Sequence, residues 1–271
     1  MSNEWKRFEG QVLLNQFRLQ KLLGNTGYSA VFLTQSPPPE RKNIAVKLIT
    51  PGANADFQLS LLQRASKLSH ANLLHLLPGG RAALAGTDLV FAFMEYAEQD
   101  LGRSLADRAL SEKEAREMLG GLLAALGHLH SKGFAHTHIK PSNITAIGNQ
   151  IKLAADTVLP LGERRPAYRP LDLYDAPEAA TATVAASSDV WSLGVTLVEV
   201  LTQKAPVSSP ESQDEPAVPS TIPQPFLDIA QNCLRRDPPR RWTTAQIAEC
   251  LNPAPVQVST PVLIVSDEEE I

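Results

Sequence analysis

His136-Thr137-His138-Ile139-Lys140-Pro141-Ser142-Asn143, HTHIKPSN in one-letter code, is a short run crowded with polar side chains. An apolar approach, Phe134-Ala135, precedes it, and Gly133 closes a helical pattern before that. That helix opens on Ser111-Glu112-Lys113-Glu114, a capping box in which the serine hydroxyl and the glutamate each satisfy a first-turn N–H group. Its inward stripe is Met118, Leu122, Leu126 and Leu129. Two short alternating strands follow the run, Ile144-Thr145-Ala146 and Ile151-Lys152-Leu153. His128-x-His130 and His136-x-His138 could together suggest a metal site. No cysteine or acidic ligand accompanies them, so separate ordinary roles are the stronger reading.

The chain has 271 residues, long enough for one large domain or two lobes with a substantial core. Hydrophobic content of 43% with 20% charged residues is that of a globular protein. A net charge of −4 argues against a nucleic-acid partner, because a phosphate backbone needs a basic face. Cys233 and Cys250 stand far apart with no metal-type spacing, so a reducing, cytoplasmic setting is expected. The N-terminal MSNEWKRFEGQ lacks the apolar core of a signal peptide, and no apolar run approaches the roughly 18 residues of a membrane span. The acidic, proline-containing end, residues 252–271, reads as a linker or tail, and the chain as one domain of a longer protein is left open.

Residues 22–34, LLGNTGYSAVFLT, alternate, turn and alternate again, as a hairpin does. Asn43 to Leu48 is a buried-strand pattern interrupted by Lys47. Asp56 to Ser69 carries Phe57, Leu61, Ala65 and Leu68 on one helical face, and holds no acidic residue beyond Phe57. Leu89 to Met94 is an apolar strand running into Glu95-Tyr96-Ala97.

In this order the stretches resemble the protein kinase family. HTHIKPSN resembles the catalytic loop H-R-D-L-x-x-x-N, with His138 at the catalytic aspartate, Thr137 at the arginine and Asn143 at the asparagine. Lys140 matches the lysine beside the transferred phosphate. The hairpin resembles the glycine-rich loop, with Gly24 and Val31 in place and Thr26 and Ser29 where glycines belong. Ala45 and Lys47 fall in a V-A-I-K-like strand. Met94 resembles the gatekeeper, with backbone groups of Glu95 and Ala97 placed for an adenine. Counting back from His70-Ala71-Asn72 puts Leu61 at the helix glutamate that would hold the lysine.

The metal-binding D-F-G segment has two registers here. Anchoring on Lys152-Leu153 keeps Ile151 and Leu153 alternating and places Ala155 at the aspartate, which is the preferred register. Anchoring on the distance from Asn143 places Asp156 there, making Asn143 and Asp156 the metal ligands. Val158 to Asp175 contains no Ser or Thr, and the arginine that would read a phosphate is replaced by Thr137. Tyr168 and Tyr174 remain as modification sites, with packing roles the stronger reading.

Ala176-Pro177-Glu178 matches A-P-E, and Ser188 to Gly194 resembles the start of the buried central helix. Cys233 to Thr243 resembles a segment whose arginine pairs with that glutamate, which implies an Arg241–Glu178 ion pair. Residues 205–225 are a proline- and serine-rich loop.

The resemblance implies an α+β, two-lobed protein-kinase-like fold. A small antiparallel β lobe with one helix would span 8–96 and a larger, mainly α-helical lobe 97–251. It implies ATP and Mg²⁺ as cofactors, and the depleted site leaves their binding open. The reading is a pseudokinase: a regulatory or scaffolding module with protein partners and weak or no phosphotransfer. The alternative is an atypical Ser/Thr kinase working through Lys47, Asn143, Asp156 and His138. A scaffold with a collapsed pocket is the third reading.

Overall fold

The computed structural model describes residues 3–50, 55–165, 170–206 and 214–253. Tyr168, part of the 205–225 loop and the tail from 254 onward lie outside the described residues.

In the small lobe, α1 (Asn3–Lys6), β1 (Val12–Leu13) and β2 (Phe17–Arg18) lead into β3 (Lys21–Asn25), β4 (Ser29–Gln35) and β5 (Asn43–Ile49). Then come α2 (Ala55–Ala65), β6 (Gly80–Leu84) and β7 (Thr87–Glu95). The five longer strands form one antiparallel sheet in the order β3-β4-β5-β7-β6. Alternation sorts their side chains by face. Phe32, Val46, Leu48, Phe91 and Phe93 form the outer layer, buried beneath Trp5, Phe8, Leu13 and Leu19. Ala45, Ile49, Val90 and Ala92 pack on the other face with Leu62 and Ala65 of α2. Lys47 shares this inner face, between Val31 on β4 and Ala92 on β7. The pleat alone therefore points it toward the space between the lobes.

The large lobe contains α3 (Leu101–Ser104), α4 (Glu112–Ser131), β8 (Phe134–Ala135), β9 (Ile144–Ile147), β10 (Gln150–Leu153) and β11 (Leu159–Pro160). Helices α5 (Ala186–Thr202), α6 (Phe226–Cys233) and α7 (Thr244–Leu251) complete it. The capping box at Ser111 and Glu114 forms as expected, and Gly133 takes φ +80° just past the end of α4. The α4 stripe of Met118, Leu122, Leu126 and Leu129 is buried. Helix α5 is apolar nearly all round and buried along its length, as a central helix must be. A Cβ at Gly194 would come within 2.6 Å of the Cys233 Cβ, so only glycine permits this approach of α5 to α6. The architecture is the expected α+β, two-lobed one.

The expected ion pair is present and bidentate. Arg241 Nη1 donates to Glu178 Oε1 at 2.6 Å and Nη2 to Oε2 at 2.8 Å. The buried guanidinium also donates to the carbonyls of Ser187, Arg235 and Arg236 and lies 5.1 Å from the Trp191 ring centroid. Arg241→Ala would leave the carboxylate and these carbonyls without their donors. We expect it to cost about 3–5 kcal/mol in urea unfolding. Arg241→Lys should recover only part of this, because an ammonium cannot reproduce the planar fork. A loss near zero would show that the pair adds no stability.

Candidate functional site

The polar loop at 136–143 is held by one buried carboxylate from α5. Asp189 Oδ2 accepts the backbone N–H of His136 at 2.8 Å, and Oδ1 accepts that of Thr137 at 2.7 Å. His130 Nε2 lies 2.9 Å from Oδ2. These bonds hold Thr137 at φ +65°, where a β-branched residue is strained. The Thr137 hydroxyl donates to the Thr157 carbonyl at 2.8 Å, and the Thr157 hydroxyl donates to the His136 carbonyl at 2.9 Å. The His136 ring accepts the His138 N–H at Nδ1, so its proton sits on Nε2, which faces the Ala154 carbonyl at 2.5 Å. Burial lowers the His136 pKa and keeps this ring neutral.

A cleft of about 320 Å³ separates the lobes. It brings together Gly24, Val31, Ala45, Lys47, Glu95, Ala97, Lys140, Asn143 and Asp156, all expected from the sequence. Apolar Val31, Ala45, Leu74 and Met94 line one part, and the charged groups line another. His138 is not in the lining. Its Nε2 instead lies 2.8 Å from Asp172 Oδ2, and Lys140 Nζ lies 3.9 Å from the same oxygen. Asn143 is oriented by donating Nδ2 to the His138 carbonyl at 2.8 Å.

One sequence placement needs correction. Ala155 is buried in the core, whereas the carboxylate of Asp156 enters the cleft and pairs with Lys47. The preferred register assumed that strand alternation continued past Leu153. Strand β10 ends there, and the next bond runs from Ala154 N–H to the Asn143 carbonyl. Leu61, at the counted position, lines a small cavity with Lys47 and Asp156 and brings no charge to it. It also packs on Ala135, Leu159 and Val184, and Gln58 shares the same cavity. Gln58 is buried, and its Oε1 has no hydrogen-bond partner among the described residues. No sequence signal marks it, because glutamine in an apolar stripe reads as a gap.

The turn between β3 and β4 closes on itself. The Thr26 hydroxyl accepts the Ser29 N–H at 3.1 Å and the Tyr28 N–H at 3.4 Å, and Thr26 N–H donates to the Ser29 carbonyl at 2.7 Å. Amides that a glycine loop would aim at a phosphate are thus partly occupied here. A Cβ at Gly24 or Gly27 would meet no atom within 4 Å, so the backbone there still borders open space. Arg103 of α3 reaches across from the large lobe to donate to the Leu23 carbonyl.

Charges join the described parts of the stretch from Val158 to Asp175. Arg165 Nη2 donates to Asp175 Oδ2 at 2.9 Å, and Asp172 N–H reaches the same oxygen at 2.9 Å. Tyr174 donates to Glu199 at 2.7 Å, and burial together with Glu199 raises its pKa, which fits the packing role. The histidines do not converge: no group of three or more metal-ligating side chains occurs among the described residues. His128 stacks on His70 at 5.1 Å instead.

Burial opposes charging of Asp156, but the Lys47 ammonium and its hydrogen bond outweigh this and lower its pKa. A carboxylate lowered on folding contributes stability above its unfolded pKa and loses it as pH falls through the folded value. Asp156→Asn should therefore flatten part of the acid limb of stability against pH, measured by urea unfolding between about pH 2 and 7. An unchanged acid limb would mean that the pair contributes nothing net.

The protein kinase domain family matches residues 17–251. Serine/threonine-protein kinase D of Synechocystis is 24% identical over 263 residues, covering 86% of this chain and 51% of its own length. Serine/threonine-protein kinase PknB of Mycolicibacterium smegmatis is 27% identical over 263 residues, covering 87% of this chain and 42% of its own length. The chain thus spans about half the length of these curated relatives. The crystal structure of the Mycobacterium tuberculosis PknI kinase domain superposes with a TM-score of 0.69 at 19% identity, over 90% of this chain and 97% of that one. At that identity the likeness speaks for the fold alone. A match running from the sheet through α7, over a cleft that gathers the motif residues, makes this chain a member of the protein kinase domain family.

Proposed function

We propose that this domain binds an adenine nucleotide with a divalent cation and serves as a regulatory or scaffolding module, a pseudokinase with little phosphotransfer of its own. The observation that carries this is position 138. Phosphoryl transfer needs a group that orients the attacking hydroxyl and accepts its proton. His138 stands there instead of a carboxylate, with its Nε2 engaged by Asp172. The self-closed turn at Thr26 and the Lys47–Asp156 contact, made while the one acidic residue of α2, Asp56, pairs with Arg81, point the same way.

The side chains of the cleft suit the nucleotide. Its apolar part fits a purine, and two cations, Lys47 and Lys140, face the other part. Asn143 and Asp156 would hold a divalent cation through oxygen, the donor type such ions prefer. That cation would neutralise phosphate charge. Lys47, which pairs with Asp156 here, would face the phosphates. Protein partners and a cytoplasmic setting belong to this reading. Among the described residues, no helix is long and apolar enough to cross a membrane.

A second reading, an atypical phosphotransferase acting on Ser or Thr as its relatives' names state, rests on a specific contact. Asp172 could orient and charge-stabilise the His138 imidazole as a base, as a carboxylate does in a catalytic triad.

Thermal unfolding with ATP, with Mg²⁺ or with EDTA, tests the binding step. Ligand at about 100 times its Kd stabilises by ~2.7 kcal/mol. For a chain this size we expect a rise of several degrees, at roughly 2–4 °C per kcal/mol. A rise that needs Mg²⁺ supports Asp156 as a metal ligand, and no rise in either condition removes the nucleotide from the proposal. A phosphotransfer assay separates the two readings. Under the first, His138→Asp combined with Asp172→Asn should raise a negligible parent activity by roughly 10²–10⁴-fold. Under the second, the parent is already active and Asp172→Asn alone lowers it.

A further inference from the structure

The residues ahead of the family match, before position 17, build the outer cover of the small lobe. Trp5 is 4% exposed and Phe8 2%, their rings 5.8 Å apart. Such burial at the start of a chain is a substantial apolar contribution, since aromatic side chains carry the largest areas. The segment also makes polar bonds to β3 and to the residues leading into it. Glu9 Oε1 accepts the Leu22 N–H at 2.7 Å, and Gly10 N–H donates to the Leu19 carbonyl at 2.7 Å. Above all, the Trp5 indole Nε1 donates to the Thr26 carbonyl at 3.1 Å.

Thr26 is the residue whose hydroxyl and N–H close the turn facing the cleft. The turn is thus tied from two sides. Thr50, at the end of β5, donates its N–H and hydroxyl to the Tyr28 carbonyl at 2.9 and 3.0 Å. Trp5 ties the Thr26 side from outside the sheet. With Thr26 and Ser29 flanking Gly27 where glycines belong, the turn adapts its backbone less freely to a ligand, so where it is held bears on what it can reach.

We propose that Trp5 is a positioning residue for the cleft-facing turn: the N-terminal segment straps the outside of the small lobe, and its indole N–H fixes the Thr26 end of the turn over the cleft. The strap holds the turn whether or not a ligand is present. Its effect on nucleotide rests on the function proposed above.

Trp5→Phe keeps an aromatic ring in the outer layer and deletes the donor. The experiment is amide hydrogen exchange of the full chain without ligand, read at residues 24–31 and, for comparison, at 43–49 and 87–95. A single net hydrogen bond corresponds to about a two- to ten-fold change in local opening. We expect exchange in the turn to quicken by that factor, with the comparison strands unchanged and the melting temperature nearly so. In the unmodified protein the Trp5 indole N–H should itself be protected from exchange, a measurement that needs no variant. Unchanged turn exchange, an unprotected indole, or a rise spread evenly over the lobe with falling melting temperature would overturn the proposal. If neither protein binds Mg²⁺-ATP, the nucleotide reading fails while the exchange result still decides the strap. If both bind, Trp5→Phe should weaken affinity by a similar factor.

Discussion

The carboxylate of Asp189 holds the loop on which the cleft depends. It is wholly buried on a central helix, and its oxygens take backbone N–H groups from His136 and Thr137 together with the His130 ring. A buried carboxylate is tolerable only when its lone pairs are so occupied. In return it keeps Thr137 in the left-handed region, at a cost of order 1–3 kcal/mol that the two amide bonds offset. From that turn the rest follows: Ile139 points into the core, and Lys140 and Asn143 come to the cleft. This scaffold is indifferent to whether position 138 holds an aspartate or a histidine, because the anchoring is made by backbone groups.

Around that frame the charges are distributed in a distinctive way. Three of the paired carboxylates come from one stretch of chain: Asp156 with Lys47, Asp172 with His138, and Asp175 with Arg165. The last pair is largely buried and lies within the segment itself, which suits a chain with no Ser or Thr between Val158 and Asp175. Fold and chemistry are therefore separable here: the ion pair at Arg241 and the anchor at Asp189 maintain the architecture, whatever the cleft does.

Much of the site could be read from the residues in order. Alternation put Lys47 on the inner face, the capping box set the start of α4, and the ordered motifs placed Gly24, Val31, Ala45, Glu95, Ala97 and Asn143 around one cleft. The misplacement of Ala155 has a physical cause, since periodicity informs only while the element lasts, and strand β10 ends at Leu153. Asp172 and Trp5 carried no local signal, because their partners lie far away in sequence.

The sequence by itself determined what short-range rules can specify: which residues alternate, where helices start and stop, and that the polar loop at 136–143 holds no carboxylate. Tertiary structure alone decided which charges meet. The Lys47–Asp156 contact spans 109 positions, and the Trp5–Thr26 bond joins a leading segment to a turn 21 positions away. Contacts of that range depend on how two lobes and a packed sheet converge, and local periodicity does not encode that convergence.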